Sequence, residues 1–579
     1  MKRISALLLL CSAVVAHAND SKLSPEFKHA PRGTVRVIVQ YNSAAADSDV
    51  RTLSGLGTLE HALPSLQGAI ATMPLENVTK LSEQSNVKYI SLDRPLRATL
   101  SNAAPAVNAY AAWQSGYTGS GIGVAVIDSG IASHPDLNDG GLLGLFPRVV
   151  YSQSFVSNDF TTGDAYGHGT HVAGLIAGDG ASSTGSQYSR TFQGIAPGAS
   201  LINLRVLDKN GASSDSEVIS AIDQAIALKG LYNIRVINLS LGRSVFESYK
   251  LDPLCQAVEQ AWKAGIVVVV AAGNEGRYQP TDGYGTITAP GNDPYVITVG
   301  AMKTMGTPTR VDDLIASYSS KGPSAGDAVA KPDLVAPGNL LGSLEAPGST
   351  LYNQYPGNRV STNFYQNGGS SAASSTYFTL SGTSMAAGVV SGVVADLLQK
   401  SPSLTPDQVK ARLMKTAWKS LPAFSSATDP ASGITYTDQY DIFTVGAGYV
   451  DLEAALTDTD VAKGTAMSPI ATFNASNNEV YLTDDPSSVW NTSATWSNAA
   501  VWGSAQFVTG ASASSTTITA TGNTTSASGS NALWGTNALW GTNALWGTNA
   551  LWGTNSLNSS NALWGTNAPT ATNVVAGEK

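Results

Sequence analysis

Two rhythms of apolar and polar positions divide the chain. Thr34–Tyr41 (TVRVIVQY) alternates as a half-buried strand does. Gly68–Met73 gives a second strand, Leu75–Gln84 a short helix and Val87–Leu92 a further strand. This part predicts a small α+β module. Arg94–Ala106 then turns polar, with Ala and Pro, as a linker would. From about Ala109 to Leu456 the rhythm becomes strand and helix in alternation. Gly123–Ile127 (GVAVI) is an unbroken apolar run, the mark of a strand buried on both faces of a parallel sheet. Leu201–Val206, Arg235–Leu239, Ile266–Ala271 and Tyr295–Val299 read the same way. Helical patterns lie between and after them: Asp215–Leu228, Pro253–Lys263 and Met385–Gln399. A fourth helix opens on Thr405-Pro406-Asp407-Gln408, a capping box with Pro at its first helical position. Alternating units of this kind predict a doubly wound α/β domain with a mainly parallel sheet, whose ligand sites lie at the carboxyl ends of the strands.

Past Ala462 the sequence shifts to Ser, Thr, Asn, Ala and Gly. Trp490, Trp496 and Trp502 recur every six residues. Trp534, Trp540, Trp546, Trp552 and Trp564 do so within copies of Asn-Ala-Leu-Trp-Gly-Thr, with Asn558 in the one missing position. A helix would scatter tryptophans at this spacing around its surface, whereas a strand would put them on one face. Stacked short β segments and disordered low-complexity sequence both fit the pattern.

Charge and cysteine narrow the setting. The 33 Lys and Arg against 42 Asp and Glu give a net charge of −9, which argues against a nucleic-acid or anionic-membrane partner. Lys2 and Arg3 precede the apolar run Ile4–Leu10, and Ala16-His17-Ala18 supplies small residues where a signal peptidase cuts. A cleaved signal over residues 1–18 and a secreted product are therefore expected, and a lipoprotein reading through Cys11 is weaker. No later apolar run is long enough to span a bilayer. Loss of Cys11 with the signal leaves Cys255, so no intramolecular disulfide is expected.

Of the six histidines, His134, His168 and His171 belong to the α/β region. His134, in His-Pro-Asp-Leu, reads as a surface turn residue. His168 and His171 lie where a glycine-rich loop enters an apolar helix. Their i, i+3 spacing lacks the intervening Glu of zinc peptidases and has no obvious third ligand, so no metal site is assigned. Asp128 ends the strand GVAVI. Ser384, in Gly382-Thr383-Ser384-Met385-Ala386, opens a long apolar helix, and Ala386 rules out the Gly-x-Ser-x-Gly elbow. Each has a bland reading alone, as a turn former, a structural imidazole or a cap. Together they supply what acyl transfer needs: a hydroxyl nucleophile, an imidazole to take its proton and a carboxylate to orient the imidazole. Asn274, beside glycines after the strand starting at Ile266, can aim an amide donor at the same crevice. The Ser384 backbone N–H, at a helix N-terminus, would join it as a second oxyanion donor.

Residues from about Ala109 to Leu456 resemble the subtilisin-like (S8) serine peptidases. The matching blocks are Val126–Gly130, His168–Gly174, Asn238–Gly242, Ala272–Gly276 and Gly382–Ala386, with Ala336-Pro337-Gly338 and Gly446–Val450 as lesser ones. The order Asp, His, Ser is also that of subtilisin. The resemblance implies a secreted serine endopeptidase acting on proteins or peptides, with Asp128, His168 and Ser384 as its charge relay and Asn274 as oxyanion donor. It makes Ser240, Leu241 and Gly242, with Gly273, the backbone that pairs with substrate. It gives His171 no catalytic role.

The resemblance further implies a propeptide over residues 19–103, acting as intramolecular inhibitor and folding chaperone and removed by a cut between Arg97 and Val107. A peptidase domain over 104–460 and a tail over 461–579 complete the expected organisation. No cofactor is required for the chemistry, and Asp179–Gln193 shows no clear match to a calcium loop, which leaves structural calcium unsupported. The segments Ser240–Gly242, Ala271–Glu275 and Thr288–Gly291 imply a roomy pocket for a large apolar side chain. The chain departs from the family after Ser384, where Ala387-Gly388-Val389 stands in place of Ser/Thr-Pro-His. The rival reading is an inactive surface protein whose Trp repeats bind carbohydrate or a cell envelope, and such binding by the tail is also compatible with an active enzyme.

Overall fold

The structure is a computed structural model. It describes residues 22–24, 27, 33–63, 67–92, 103–138, 147–429, 432–474, 479–491, 501, 506–508, 515–517, 519–521, 524–528 and 578. The chain divides into two compact units, residues 1–97 and 98–579. The signal segment and the Trp repeats from 534 to 564 lie outside the described residues, as do Trp496 and Trp502.

The first unit runs β1 (Thr34–Tyr41), α1 (Asp47–Leu56), β2 (Thr58–Leu63), β3 (Gly68–Pro74), α2 (Leu75–Ser82) and β4 (Val87–Leu92). Its antiparallel sheet has the order β2-β3-β1-β4, so each half is a split β-α-β. Alternation along β1 turns Val37, Val39 and Tyr41 inward onto Ala71, Met73, Val78, Leu81 and Ile90. Helix α1 and strand β2 escaped the sequence reading. Helix α1 is mostly polar and buries only Leu53 among its residues.

The second unit opens with two short helices, α3 (Ala103–Ala106) and α4 (Ala109–Gln114). Its sheet is built from β5 (Gly123–Asp128), β6 (Val149–Ser154), β7 (Ser200–Arg205), β8 (Ile234–Leu239), β9 (Val267–Ala271), β10 (Ile297–Lys303), β11 (Leu314–Ile315) and β12 (Leu334–Pro337). The order is β11-β10-β9-β8-β5-β7-β6, with β12 also on β10. Every pairing is parallel except β10 with β11. Strands β5 and β9 are buried at every residue, as their unbroken apolar runs require. Strand β6 was missed because it is an edge strand of mixed sequence, VVYSQS, and only half-buried.

Helices α5 (His168–Ala177), α6 (Asp215–Tyr232), α7 (Pro253–Lys263), α8 (Thr350–Gln354) and α9 (Thr383–Lys400) accompany the sheet. Helices α5 and α9 pack on each other and on one face, and α6 and α7 pack together on the other. The doubly wound expectation holds. A small antiparallel sheet of β13 (Leu341–Leu344), β14 (Arg359–Ser361) and β15 (Ala373–Leu380) lies against α5. Beyond it come α10 (Pro406–Thr416), the hairpin β16 (Phe424–Thr428) with β17 (Thr435–Gln439), α11 (Ile442–Val445) and α12 (Leu452–Thr457). The Thr405 capping box and the Pro at the start of α10 are both present.

Packing does not stop at the boundary expected after residue 460. Ala462, Ala466, Ala471, Leu482, Val489 and Trp490 join Ala411, Met414 and Phe443 in one apolar cluster. Strands β18 (Ile470–Asn474) and β19 (Glu479–Thr483) pair there. Trp490 is buried, and its Nε1 donates to the Met467 carbonyl at 2.9 Å. It is a core residue of the second unit. Among the described residues no helix is long and apolar enough to cross a membrane.

Candidate active site

The carboxyl ends of β5, β8 and β9, neighbours in the sheet, bring Asp128, Ser240 and Asn274 to one edge. The first turns of α5 and α9 add His168 and Ser384. All five are buried.

Asp128 and His168 are in direct contact. The imidazole Nδ1 lies 2.8 Å from Asp128 Oδ1 and 3.0 Å from Oδ2, while the Ser129 N–H donates to Oδ1 at 2.7 Å. A carboxylate facing Nδ1 favours the tautomer protonated there, which leaves Nε2 as the acceptor. Close approach of α5 to β5 makes this contact. A Cβ on Gly169 would collide with the Gly130 carbonyl oxygen and come 3.2 Å from the Asp128 Cβ. Burial alone would pull the His168 pKa down. The Asp128 carboxylate, by charge and hydrogen bond, and the Asp164 carboxylate, by charge, outweigh it and hold the pKa above the ordinary histidine value.

Asp164 was not singled out from the sequence. Buried in the loop before α5, it accepts from the Ser129 hydroxyl at 2.8 Å and from the N–H groups of Tyr166, Gly167 and Thr170 at 3.1, 2.6 and 2.8 Å. The Thr170 hydroxyl adds a bond at 2.7 Å. Ser129 in turn accepts from the Gly169 N–H at 2.9 Å. One carboxylate therefore ties the end of β5 to the first turn of α5. An acidic residue four positions before His168 was the only sequence signal for it.

Ser384 is the second residue of α9, after Gly382 at φ +149°. Its hydroxyl donates to the Ser240 carbonyl at 3.1 Å, and the Ser240 hydroxyl donates to the Ser384 carbonyl at 2.8 Å. Asn238 supports this pair. Its Nδ2 donates to the Ser240 hydroxyl at 2.9 Å, and its Oδ1 accepts from the Ser391 hydroxyl two turns along α9 at 2.9 Å.

Asn274 is oriented by Thr383. The Thr383 N–H donates to Asn274 Oδ1 at 3.0 Å, and the Thr383 hydroxyl lies 3.2 Å from the same oxygen. A backbone N–H can only donate, so the amide oxygen must face Thr383 and the Nδ2 donor the other way. Gly273, at φ +110°, donates its N–H to Thr383 Oγ1 at 3.1 Å. A Cβ there would lie 2.7 Å from Ser320 Oγ and 2.9 Å from Thr288 Cγ2. Past the end of β8, Ser240, Leu241 and Gly242 continue as irregular backbone until Arg243 pairs with Ala289. Thr288 stands against both Gly242 and Gly273.

Two histidine readings separate here. His171 is structural, as expected. Its Nε2 sits 3.0 and 3.1 Å from the Leu341 and Phe378 carbonyls, and burial pushes its pKa down to about 3. His134 is not a surface residue. It is buried, its Nδ1 accepts from the Asp136 N–H at 3.1 Å, and its Nε2 lies 3.0 Å from the Thr376 carbonyl. Packing against the β15 segment overrides its turn-like local sequence. The altered run after Ser384 leaves α9 unbroken, and Gly388 faces Val172 and Leu175 of α5. No group of three or more His, Cys, Asp or Glu residues able to hold a metal occurs among the described residues. Cys255 is free and buried, its Sγ 3.3 Å from Asn292 Oδ1.

Comparison with known proteins gives the family. The subtilase family model matches residues 119–448. Serine protease AprX of Bacillus subtilis is 39% identical over 344 residues, which cover 58% of this chain and 70% of that protein. Subtilisin DY of Bacillus licheniformis is 32% identical, over 61% of this chain and 96% of its own. A crystal structure of a cold adapted subtilisin-like serine proteinase aligns at 28% identity with a TM-score of 0.38, over 55% of this chain and 89% of that one. The chain belongs to the subtilase family and is a serine endopeptidase.

Proposed function

We propose that Ser384 is the nucleophile of this peptidase, His168 its general base and acid, and Asp128 the carboxylate that orients and charges the imidazole. The observation that carries the reading is the buried 2.8 Å contact of His168 Nδ1 with Asp128, on the helix that packs against the one whose first turn holds Ser384. On attack the Ser384 hydroxyl leaves the Ser240 carbonyl and transfers its proton to His168 Nε2, while Oγ bonds to the scissile carbonyl carbon. The oxyanion is taken by Asn274 Nδ2 and the Ser384 N–H. His168 then protonates the leaving amine, and water repeats the sequence to release the acid. Ser240–Gly242 and Gly273 line the path of the substrate backbone. Metal has no part in these steps.

The same proposal makes the product secreted and self-processed. The N-terminal Lys-Arg and apolar run act as a cleaved signal over residues 1–18, and the following β-α-β-β-α-β unit as a removable inhibitor and folding aid. Ala103, Ala104, Ala106 and Val107 are buried in the second unit, and the Val107 carbonyl accepts from the Leu452 N–H at 2.9 Å. Within the expected window from Arg97 to Val107, that burial favours a cut at a bond before Ala103. A Ser384→Ala chain should accumulate as a precursor of full length and leave casein intact. Mature protein of wild-type size from that variant would overturn self-processing.

A further inference from the structure

A second built site lies on the same sheet edge, and residue Glu578 fills it. Lys303 ends β10, Ser317 follows β11, Asn339 follows β12, and Arg277 lies three residues beyond Asn274. Glu578 is buried among them. Its carboxylate accepts from the Ser317 N–H at 2.8 Å, with Lys303 Nζ at 3.3 Å and an Arg277 guanidinium nitrogen at 3.9 Å. Its backbone is held just as fully. The Glu578 N–H donates to Asn339 Oδ1 at 2.8 Å, and its carbonyl accepts from Asn339 Nδ2 at 2.6 Å. Asn339 thus does with one side chain what a neighbouring strand does with two peptide groups.

We propose that Lys303, Ser317, Asn339 and Arg277 form a receptor for a glutamyl residue of an extended peptide, with Glu578 as the chain's own occupant. The division of labour sets the ligand class. Pairing through Asn339 reads only backbone and accepts any non-proline residue. The Ser317 N–H and two cationic side chains select an anionic one. Lys303 is the sharper argument for an occupant. Its side chain is 4% exposed, and Glu578 is its ion partner among the described residues. Removing the carboxylate would leave an ammonium with little water and no counter-charge among the described residues, which a fold tolerates poorly. Arg277 is anchored independently, its Nε donating to Ser317 Oγ at 2.7 Å, so the pocket keeps its shape on that side.

The receptor adjoins the loops that carry the proposed catalytic groups. The Gly338 carbonyl, next to Asn339, accepts from the Gly382 N–H at 2.8 Å and from the Tyr318 hydroxyl at 3.1 Å. The Gly276 N–H donates to the Tyr318 carbonyl at 2.9 Å. Occupancy by Glu578 therefore braces Gly382 and the Asn274 loop from behind while tethering the far end of the tail to the second unit.

The test uses the full chain after covalent inactivation with diisopropyl fluorophosphate. A fluorescein-labelled peptide of residues 574–579, Val-Val-Ala-Gly-Glu-Lys, is titrated by anisotropy into the wild-type chain and into Glu578→Ala. Glu578→Gln serves if the alanine variant does not fold. The peptide should bind the variant, and the wild-type chain at least about tenfold more weakly because its own residue competes. A peptide with Gln in place of Glu should bind the variant at least about tenfold more weakly, the loss expected for charged hydrogen bonds. Adding Lys303→Met to the variant should abolish binding. Absence of binding to the variant, equal affinity for the Glu and Gln peptides, or equal binding by the wild-type chain would each overturn the proposal.

Discussion

Ser240 and Ser384 are hydrogen-bonded to each other twice, hydroxyl to carbonyl in both directions, at 2.8 and 3.1 Å. One bond holds the first turn of α9 to the end of β8, and the other parks the proposed nucleophile. Ser240→Ala removes only the first. It also strands the buried Asn238 Nδ2, so unfolding free energy should fall by about 1–3 kcal/mol. Because the backbone beside the nucleophile loosens, kcat should drop more than KM rises. Urea denaturation and steady-state kinetics check both parts.

The acidic limb of the pH profile should belong to His168. Its pKa is raised, and the neutral form is the base, so kcat/KM should fall as pH drops through a midpoint above the ordinary value of about 6.5. Asp164 contributes to that rise by its charge. Asp164→Asn should therefore move the midpoint to lower pH, whereas a purely structural role would lower the plateau and leave the midpoint in place. Profiles of kcat/KM against pH for both chains distinguish these outcomes.

His171 predicts a pH dependence of stability with its own sign. Its folded pKa is depressed to about 3, so the unfolded chain takes up a proton that the native imidazole refuses. Its contribution is present above the unfolded value and is lost as pH falls toward 3, at up to about 1.4 kcal/mol per pH unit. His171→Asn should reduce the slope of stability against pH between 6 and 4 by about that amount, measured by denaturant unfolding.

Gly169 sets the distance between α5 and β5. Gly169→Ala places a methyl against the Gly130 carbonyl and near the Asp128 side chain, so α5 must retreat. Displacing an oriented imidazole by about 1 Å costs roughly 10²-fold in rate. Loss on that scale in kcat, with KM much less affected, is the expected kinetic result.

The α/β architecture was legible because β5, β8 and β9 are dominated by apolar residues and buried almost throughout, with helical patterns between them. The Asp, His and Ser positions were legible because each sits at an element end inside a glycine-rich block. Other features were not. Helix α1 and the edge strand β6 have too few apolar residues to announce themselves. His134 carries a local turn signal, but its burial comes from β15, more than two hundred residues away in sequence. The boundary expected at 460 followed a change in composition, yet small residues such as Ala462 and Ala466 pack as well as large ones against Met414 and Phe443. Asp164 and Asn339 act through contacts that sequence spacing does not reveal.

The most direct test of the central claim is the site and stoichiometry of covalent labelling by diisopropyl fluorophosphate, read by peptide mass mapping of the mature enzyme. The account predicts one adduct per chain, on Ser384, formed in step with loss of activity and far more slowly in His168→Ala. A stoichiometric inactivating adduct on any other serine, or full proteolytic turnover by Ser384→Ala, would contradict it.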